Sequence, residues 1–301
     1  MLIVAFYSQS LNLSKILEVK AVIGWIGLGH IGRAMAERLS EEYELIVWNR
    51  TLEKAKGFRN VAKSPEEVVE KADIVFLSLY DSNAVEEVSK RILSKDIKGK
   101  IIVDTTTNHH RKVLRFHELY KSAGAHYLES PVIGSVIPAR NGQLTILVSG
   151  EKEAYEKALP YLEKLGKKIF YFEEPGKATK LKLINNFVLG AFMAALAEAI
   201  ALGEKAGIPR EELVEVLENG AGNSVVLKAK KEKILSEDYS THFSIKNLVK
   251  DLSYAYDLAL DANKTVPLNA VVRELYRVAF EKGLEELDFS AIYKIIREFS
   301  L

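Results

Sequence analysis

From Lys20 onward, short apolar runs alternate with segments whose apolar residues recur every three or four positions. KAVIGWIG, ELIVWN, DIVFLSL, KIIVDTT, HYLESPV and LTILVSG predict strands. Near-continuous apolar runs of this length fit a sheet covered on both faces. Between them, GRAMAERLSEE has helical spacing, as does SPEEVVEKA, where Ser64, Pro65 and Glu67 stand at the capping and opening positions of a helix. The alternation predicts a parallel sheet with helices on both faces.

After FYFEEPG, where Glu174, Pro175 and Gly176 punctuate the chain, strand-like runs end. Helical spacing then continues over 177–206, 210–219, 224–235, 244–261, 268–282 and 290–299. The expectation is an α/β chain: an N-terminal Rossmann dinucleotide-binding domain over 1–175, then a long interdomain helix and an all-α C-terminal domain over 176–301. Residues 1–19 read as an N-terminal extension. Their short apolar start lacks a basic lead and turns polar by Ser8, unlike a signal peptide or a membrane span.

Composition narrows the function classes. The chain of 301 residues has no cysteine, which excludes disulfides, thiolate metal sites and a cysteine nucleophile. Its formal net charge of +1 gives no reason to expect a nucleic acid or an acidic membrane as partner. The apolar stretch from Phe187 to Leu202 is shorter than a span and contains Glu198. The sequence reads as a soluble, cytoplasmic protein.

GWIGLGHIGRAM places Gly27, Gly29 and Gly32 directly after the first strand and at the start of the first helix, with Leu28, His30 and Ile31 between them. That context suits a pyrophosphate held at a helix N-terminus. The second strand ends roughly 20 residues on, where the ribose contact belongs. There VWNRT offers Asn49, Arg50 and Thr51 in place of an acidic residue. A carboxylate would repel a 2′-phosphate, whereas Arg50 would bind one, so NADP(H) is expected with NAD(H) as the weaker alternative.

Further motifs run in order to the C-terminus: VDTTT, SPVIGSVIPARNGQLTILVSG, GKATKLKLINN, FSIKNLVKDL and LDFSAI. With GWIGLGHIGRAM and VWNRT, they make the chain resemble the β-hydroxyacid dehydrogenases, which include 3-hydroxyisobutyrate dehydrogenase. The resemblance is to the NADPH-dependent glyoxylate/succinic semialdehyde reductase branch in particular. It implies that Leu79, Tyr80, Asn83 and Lys250 contact the cofactor and that Thr107 lies near both nicotinamide and substrate. It implies that Ile133, Gly134, Ser135, Phe243 and Asp251 line or support the substrate cleft, with Lys182 catalytic and Asn186 its partner. The family loop usually has a serine, helping to hold the substrate's carboxylate, where this chain has Ile133. The resemblance also implies a homodimer or homotetramer, and Ala191, Ala194, Ala195, Ala197, Ala199 and Ala201 permit close helix approach in the helical half.

Helical register separates the lysines of KATKLKLINN. A residue faces its i+4 neighbour, so Lys177 faces Leu181, Lys180 faces Ile184, and Lys182 alone faces an amide, Asn186. An ammonium and an amide on one face suit a carbonyl oxygen that gains charge during hydride transfer. His109 and His110 lack partners at metal-ligand spacing and read as a polar loop. Tyr254, Tyr256 and Tyr276 read as packing residues, and KAKKEKILSE from Lys228 as a solvated helix face. The leading expectation is a reductase of a small aldehyde or semialdehyde acid, without a metal. The alternatives are a dehydrogenase of another small β-hydroxy compound such as serine, which Ile133 suggests, and a non-catalytic NADP-binding scaffold.

Overall fold

A computed structural model describes residues 22–299; the segment 1–19 lies outside them. The chain opens with β1 (Ile23–Ile26), α1 (His30–Ser40), β2 (Leu45–Trp48), β3 (Asn60–Val61), α2 (Pro65–Lys71), β4 (Ile74–Leu77), α3 (Ser82–Ile92) and β5 (Ile101–Asp104). It continues through α4 (His110–Ser122), β6 (His126–Glu129), β7 (Val132–Ile133), α5 (Val136–Arg140), β8 (Leu144–Ser149), α6 (Lys152–Leu165) and β9 (Gly166–Phe172). The helical part follows as α7 (Lys177–Lys205), α8 (Arg210–Asn219), α9 (Val225–Ser236), α10 (Ile245–Asp261), α11 (Pro267–Ala279) and α12 (Ile292–Glu298).

Strands β3-β2-β1-β4-β5-β6 lie side by side and run parallel. This is the doubly wound order in which the chain reverses direction beside β1 and leaves a crevice at the strands' carboxyl ends. The sheet departs from the expected all-parallel form beyond β6, where β8 runs antiparallel to both β6 and β7 while β9 pairs parallel with β8. The short β7, entered through Pro131, returns by the five-residue α5. That link is too short for the crossover a parallel neighbour needs.

Apolar side chains cover both faces. Trp25, Met35 and Leu39 belong to one buried cluster, while Ile26, Val68, Val85 and Phe116 belong to the other. Trp25 on β1 is paired in register with Phe76 on β4, and their rings stack at 5.1 Å. At α2, the Ser64 hydroxyl accepts from the Glu67 amide and Pro65 opens the helix, as its sequence predicts.

The helical part has its own core around α7, formed by Met193, Ala197, Ile200, Leu248, Leu252, Tyr276 and Ile292, all fully buried. α7 is long and apolar enough to cross a membrane by length and composition, where the sequence suggested a stretch too short. In this fold it is a core helix carrying a buried lysine and a buried amide. Ala194 and Ala197 are spent on that core, whereas Ala195 and Ala199 remain exposed. They continue an apolar stripe of Leu181, Ile184, Val188, Phe192 and Leu202, each more than a third exposed.

KAKKEKILSE departs from its expected role. Lys228 is exposed, but Lys230 and Lys233 are buried beside Leu227 and Ile234. Residues three and four apart share a helix face, and this face points inward.

Candidate active site

The carboxyl ends of β1, β4 and β5 open onto a cleft of about 820 Å³ walled on its far side by α7, α9 and α10. The loop after β1 is shaped by its glycines. Gly27 has φ +104°, and a Cβ there would lie 2.2 Å from the Ser78 carbonyl oxygen. One on Gly32 would lie 2.6 Å from the Gly27 carbonyl oxygen. A Cβ on Gly29 would meet nothing within 4 Å. Gly29 is also the N-cap of α1, and no side chain caps it. The first and third glycines therefore permit close packing, while the second leaves an open cradle at a helix N-terminus that fits a pyrophosphate.

The end of β2 completes this side. The Asn49 amide bridges two backbones: Oδ1 accepts from the Leu28 amide at 2.8 Å and Nδ2 donates to the Thr51 carbonyl at 2.9 Å. Asn49 thus shapes the loop, leaving Arg50 and Thr51 exposed on the cleft wall. Lys54, unremarked in the sequence, lines the same end, held there because the Arg33 guanidinium donates to its carbonyl. Its position four residues after Arg50 was the available signal.

After β4 and β5 the wall is made by Leu79, Tyr80 and Thr105–Thr107. Asp104 anchors that turn. Its buried carboxylate accepts from Tyr127 Oη at 2.6 Å, Asn108 Nδ2 at 2.7 Å and the Thr106 amide at 2.9 Å, and burial raises its pKa. Thr106 Oγ1 in turn accepts from the Leu79 amide at 3.0 Å. Ile133, Gly134 and Ser135 line the cleft beside Pro138. Gly134 has φ +138°, and a Cβ there would strike Leu144 Cδ2 at 2.7 Å. A larger residue could not take this turn.

Two expected cofactor residues lie elsewhere. Leu28 is buried beneath the loop. Asn83 is exposed on the first turn of α3, where its Oδ1 accepts from Lys112 Nζ at 2.7 Å. A side chain one turn into α3 points away from the crevice, whereas Ala84 and Glu87 face it.

α7 delivers the lysine. Its first turn is fixed to the sheet by the buried Glu129, at the end of β6, which accepts from the Gly176 and Thr179 amides, the latter at 2.9 Å. Ser149 Oγ accepts from the Ala178 amide at 2.9 Å. A carboxylate at a helix N-terminus satisfies orphan amides and suits the helix dipole. Five residues from Lys177, Lys182 is 7% exposed, while Lys177 and Lys180 lie further out. Burial lowers the Lys182 pKa to about 8, opposed by the Asp251 charge and assisted by that of Lys250. Among the described residues its ammonium makes no hydrogen bond, and it lines the cleft.

Asn186 does not bond to Lys182, although the two share a face. Its Nδ2 donates to Asp251 Oδ2 at 2.6 Å, and its Oδ1 accepts from Asn185 Nδ2 at 3.1 Å. The Asn186 N–H and the Lys182 ammonium are both donors, and the one acceptor Asn186 offers, Oδ1, takes the Asn185 amide instead. Asp251 Oδ1 also accepts from Lys250 Nζ at 2.7 Å, and Lys250 reaches across to the Thr107 carbonyl at 3.0 Å. Lys250 therefore ties the helical part to the loop after β5. Phe243 also lines this wall. The same seam occupies the two histidines and one of the tyrosines. His109 caps α4, His110 Nε2 lies 2.6 Å from Asp261 Oδ2, and the Tyr254 ring stands edge-on to His109 at 5.1 Å. A polar loop and plain helix packing do not describe them. Tyr276 is fully buried, and Tyr256 lies beneath the Arg273 guanidinium at 4.3 Å.

Two family models together match nearly all the described chain. One, the NAD binding domain of 6-phosphogluconate dehydrogenase, matches residues 22–172. The other, NAD-binding of NADP-dependent 3-hydroxyisobutyrate dehydrogenase, matches 176–296. Glyoxylate/succinic semialdehyde reductase 2, chloroplastic, of Arabidopsis thaliana is 35% identical over 283 residues, covering 91% of this chain and 79% of that protein. Mycobacterium tuberculosis 3-hydroxyisobutyrate dehydrogenase, solved with L-serine, superposes with a TM-score of 0.83 at 26% identity, covering 92% of this chain and 99% of that one. Psf3 in complex with NADP+ and 2-OPP also gives 0.83, at 27% identity, over 91% of this chain and 99% of its own. The chain belongs to the β-hydroxyacid dehydrogenase family of 3-hydroxyisobutyrate dehydrogenase-like, pyridine-nucleotide oxidoreductases.

Proposed function

We propose that the protein is an NADP(H)-dependent reductase of a small aldehyde or semialdehyde acid, running in reverse as a 3-hydroxy acid dehydrogenase. The observation that carries this reading is Lys182: buried, without a hydrogen-bond partner among the described residues, and on the wall of the cleft above β1, β4 and β5. A scaffold that only bound nucleotide would have no use for such a lysine.

The glycine loop and the N-terminus of α1 would hold the pyrophosphate, with Leu79, Tyr80 and Thr107 beside the nicotinamide. When bound, the reduced nicotinamide supplies hydride. As negative charge gathers on the substrate's carbonyl oxygen, the Lys182 ammonium stabilises it and gives it a proton. In oxidation, neutral Lys182 takes that proton from the hydroxyl. Asp251 accepts from Asn186 Nδ2 and holds that amide still beside this site. The burial that lowers the Lys182 pKa brings both protonation states within reach near neutrality.

NADP(H) preference is supported by the exposed Arg50 at the end of β2, with Lys54 on the same stretch of wall. A soluble cytoplasmic enzyme acting on a carboxylic-acid-type substrate, with no nucleic-acid partner, remains our reading of composition and cleft. The second reading, oxidation of a small β-hydroxy compound such as serine, draws on Ile133 at the substrate loop. The test is turnover of glyoxylate, succinic semialdehyde, 3-hydroxyisobutyrate and serine with each nucleotide. Semialdehyde reduction with NADPH is expected. Turnover of serine alone would favour the second reading, and no turnover at all would overturn both.

A further inference from the structure

α9 carries two buried lysines three residues apart, and they are satisfied differently. Lys233 Nζ has three acceptors: Ser240 O at 2.6 Å, Ser240 Oγ at 2.9 Å and Asp238 O at 3.3 Å. It does not line the cleft. Lys230 does line the cleft, is 5% exposed, and makes one hydrogen bond, to Asp288 Oδ2 at 2.8 Å. An ammonium has three donors, so two of those on Lys230 have no protein acceptor among the described residues.

Asp288 does not need this lysine for its hydrogen bonds. Its Oδ2 also accepts from the His242 and Phe243 amides at 3.1 and 3.2 Å. Its Oδ1 accepts from Ser290 Oγ at 2.7 Å and the Ser290 amide at 3.2 Å. A carboxylate has about four lone-pair sites, and these four donors already fill them. An ion pair serving stability alone would close on itself in the core. This one leaves its cation under-used on the wall of the cleft, where unpaired buried donors are costly. Phe289 lies beside it, with its ring centroid 4.7 Å from Nζ, and Val226 and Ala229 line the same cleft, while the neighbouring His242 and Lys233 offer it no hydrogen bond among the described residues.

The geometry points to Lys230 as the anchor for a carboxylate on the substrate, distinct from the reacting carbonyl that Lys182 serves. The two cations stand on different helices of one cleft, with apolar side chains on the wall they share. The ligand that satisfies both has two polar ends: an aldehyde whose carboxylate lies beyond a short methylene chain. This assignment rests on the reductase reading and deepens it, making Lys230 the residue that selects acids over uncharged aldehydes. It also supplies a carboxylate contact in a chain with Ile133 in the substrate loop.

The experiment measures kcat/KM with NADPH for succinic semialdehyde and for butanal, an uncharged aldehyde of equal length, in the wild type, Lys230→Met and Lys230→Arg. The ratio of acid to neutral substrate is expected to fall about 10- to 100-fold in Lys230→Met, the worth of hydrogen bonds to a charged group. Lys230→Arg is expected to recover much of it. An unchanged ratio in Lys230→Met, or an arginine variant as poor as the methionine one, overturns the assignment. Should Lys230→Met not fold, Lys230→Arg decides it across a series of ω-carboxyaldehydes: the longer side chain must move the preferred length to a shorter homologue, and an unmoved preference overturns it. If the wild type reduces neither aldehyde, the reductase reading fails, and calorimetric titration of succinate into the NADPH complex tests Lys230 alone. Weaker binding in Lys230→Met then upholds the anchor, and equal or absent binding in both proteins removes it.

Discussion

Asn186 Nδ2 lies 2.6 Å from Asp251 Oδ2, joining α7 to α10 one helical turn beyond Lys182. The same carboxylate takes Lys250 on its other oxygen, so Asp251 is held by an amide and a cation at once. Its charge is also what keeps the Lys182 pKa from falling further.

From this follows a pH signature. A lysine with its pKa near 8 is charged below that pH and neutral above it. Reduction needs the ammonium, so its kcat/KM should hold below about pH 8 and decline above it, while oxidation of the hydroxy acid should rise through the same pH. Asp251→Asn removes the charge that raises the pKa, and both profiles should move to lower pH. A shift toward higher pH would contradict the electrostatic assignment.

Lys182→Ala should retain fold and NADPH binding while turnover drops by about 10²–10⁴, the usual worth of a positioned proton donor. Lys177→Ala and Lys180→Ala should cost little, because both side chains lie outside the buried face. Asn186→Ala should fall between, since the amide orients without titrating. Turnover at saturating substrate ranks the four, and a dead Lys180→Ala beside an active Lys182→Ala would refute the register.

Arg50→Ala should weaken NADP(H) far more than NAD(H), since only the former carries the 2′-phosphate. Fluorescence titration of both nucleotides decides it. Equal affinities in the parent protein would sink the preference.

Glu129→Gln replaces one of two buried acceptor oxygens facing the Gly176 and Thr179 amides with a donor. A loss of about 2 kcal/mol is expected, read from denaturant unfolding. A variant as stable as the parent would show that the first turn of α7 holds without the carboxylate.

The stripe of Leu181, Ile184, Val188, Phe192 and Leu202 on α7 is expected to be covered in a homodimer or homotetramer. Light scattering at micromolar concentration should show the oligomer, and Phe192→Glu should shift it toward monomer. A monomeric parent protein rejects this.

Much of this was legible in the sequence because it is local. Strands, helix spans and the glycine loop depend on neighbours within a few residues, and so does the register that placed Lys182 and Asn186 on one face. What was hidden depends on distant partners. Asn186 finds its acceptor 65 residues away and Lys230 finds Asp288 58 residues away, so an amide looked free and a buried cation looked solvated. Glu129 reads as one more strand-end acid until α7 is seen to begin against it. Phe243 and Asp251, which the family motifs implied, line the cleft wall, whereas the Asn83 side chain turns away from it.

Glu129 and Ser149 make the start of α7 a fixed jaw. Lys182 sits barely a turn beyond that attachment, so it is held to the sheet and therefore to whatever the glycine loop holds. On the same wall, α10 meets the sheet domain through side chains: Lys250 on the Thr107 carbonyl, and Asp261 on His110 and Arg111. The Asn186–Asp251 bond and the core shared by Met193, Ala197, Leu248 and Leu252 fasten α10 to α7, so the wall bearing Phe243 and Asp251 keeps its place beside Lys182. Sheet, lysine and facing wall are thus tied together through the single helix α7.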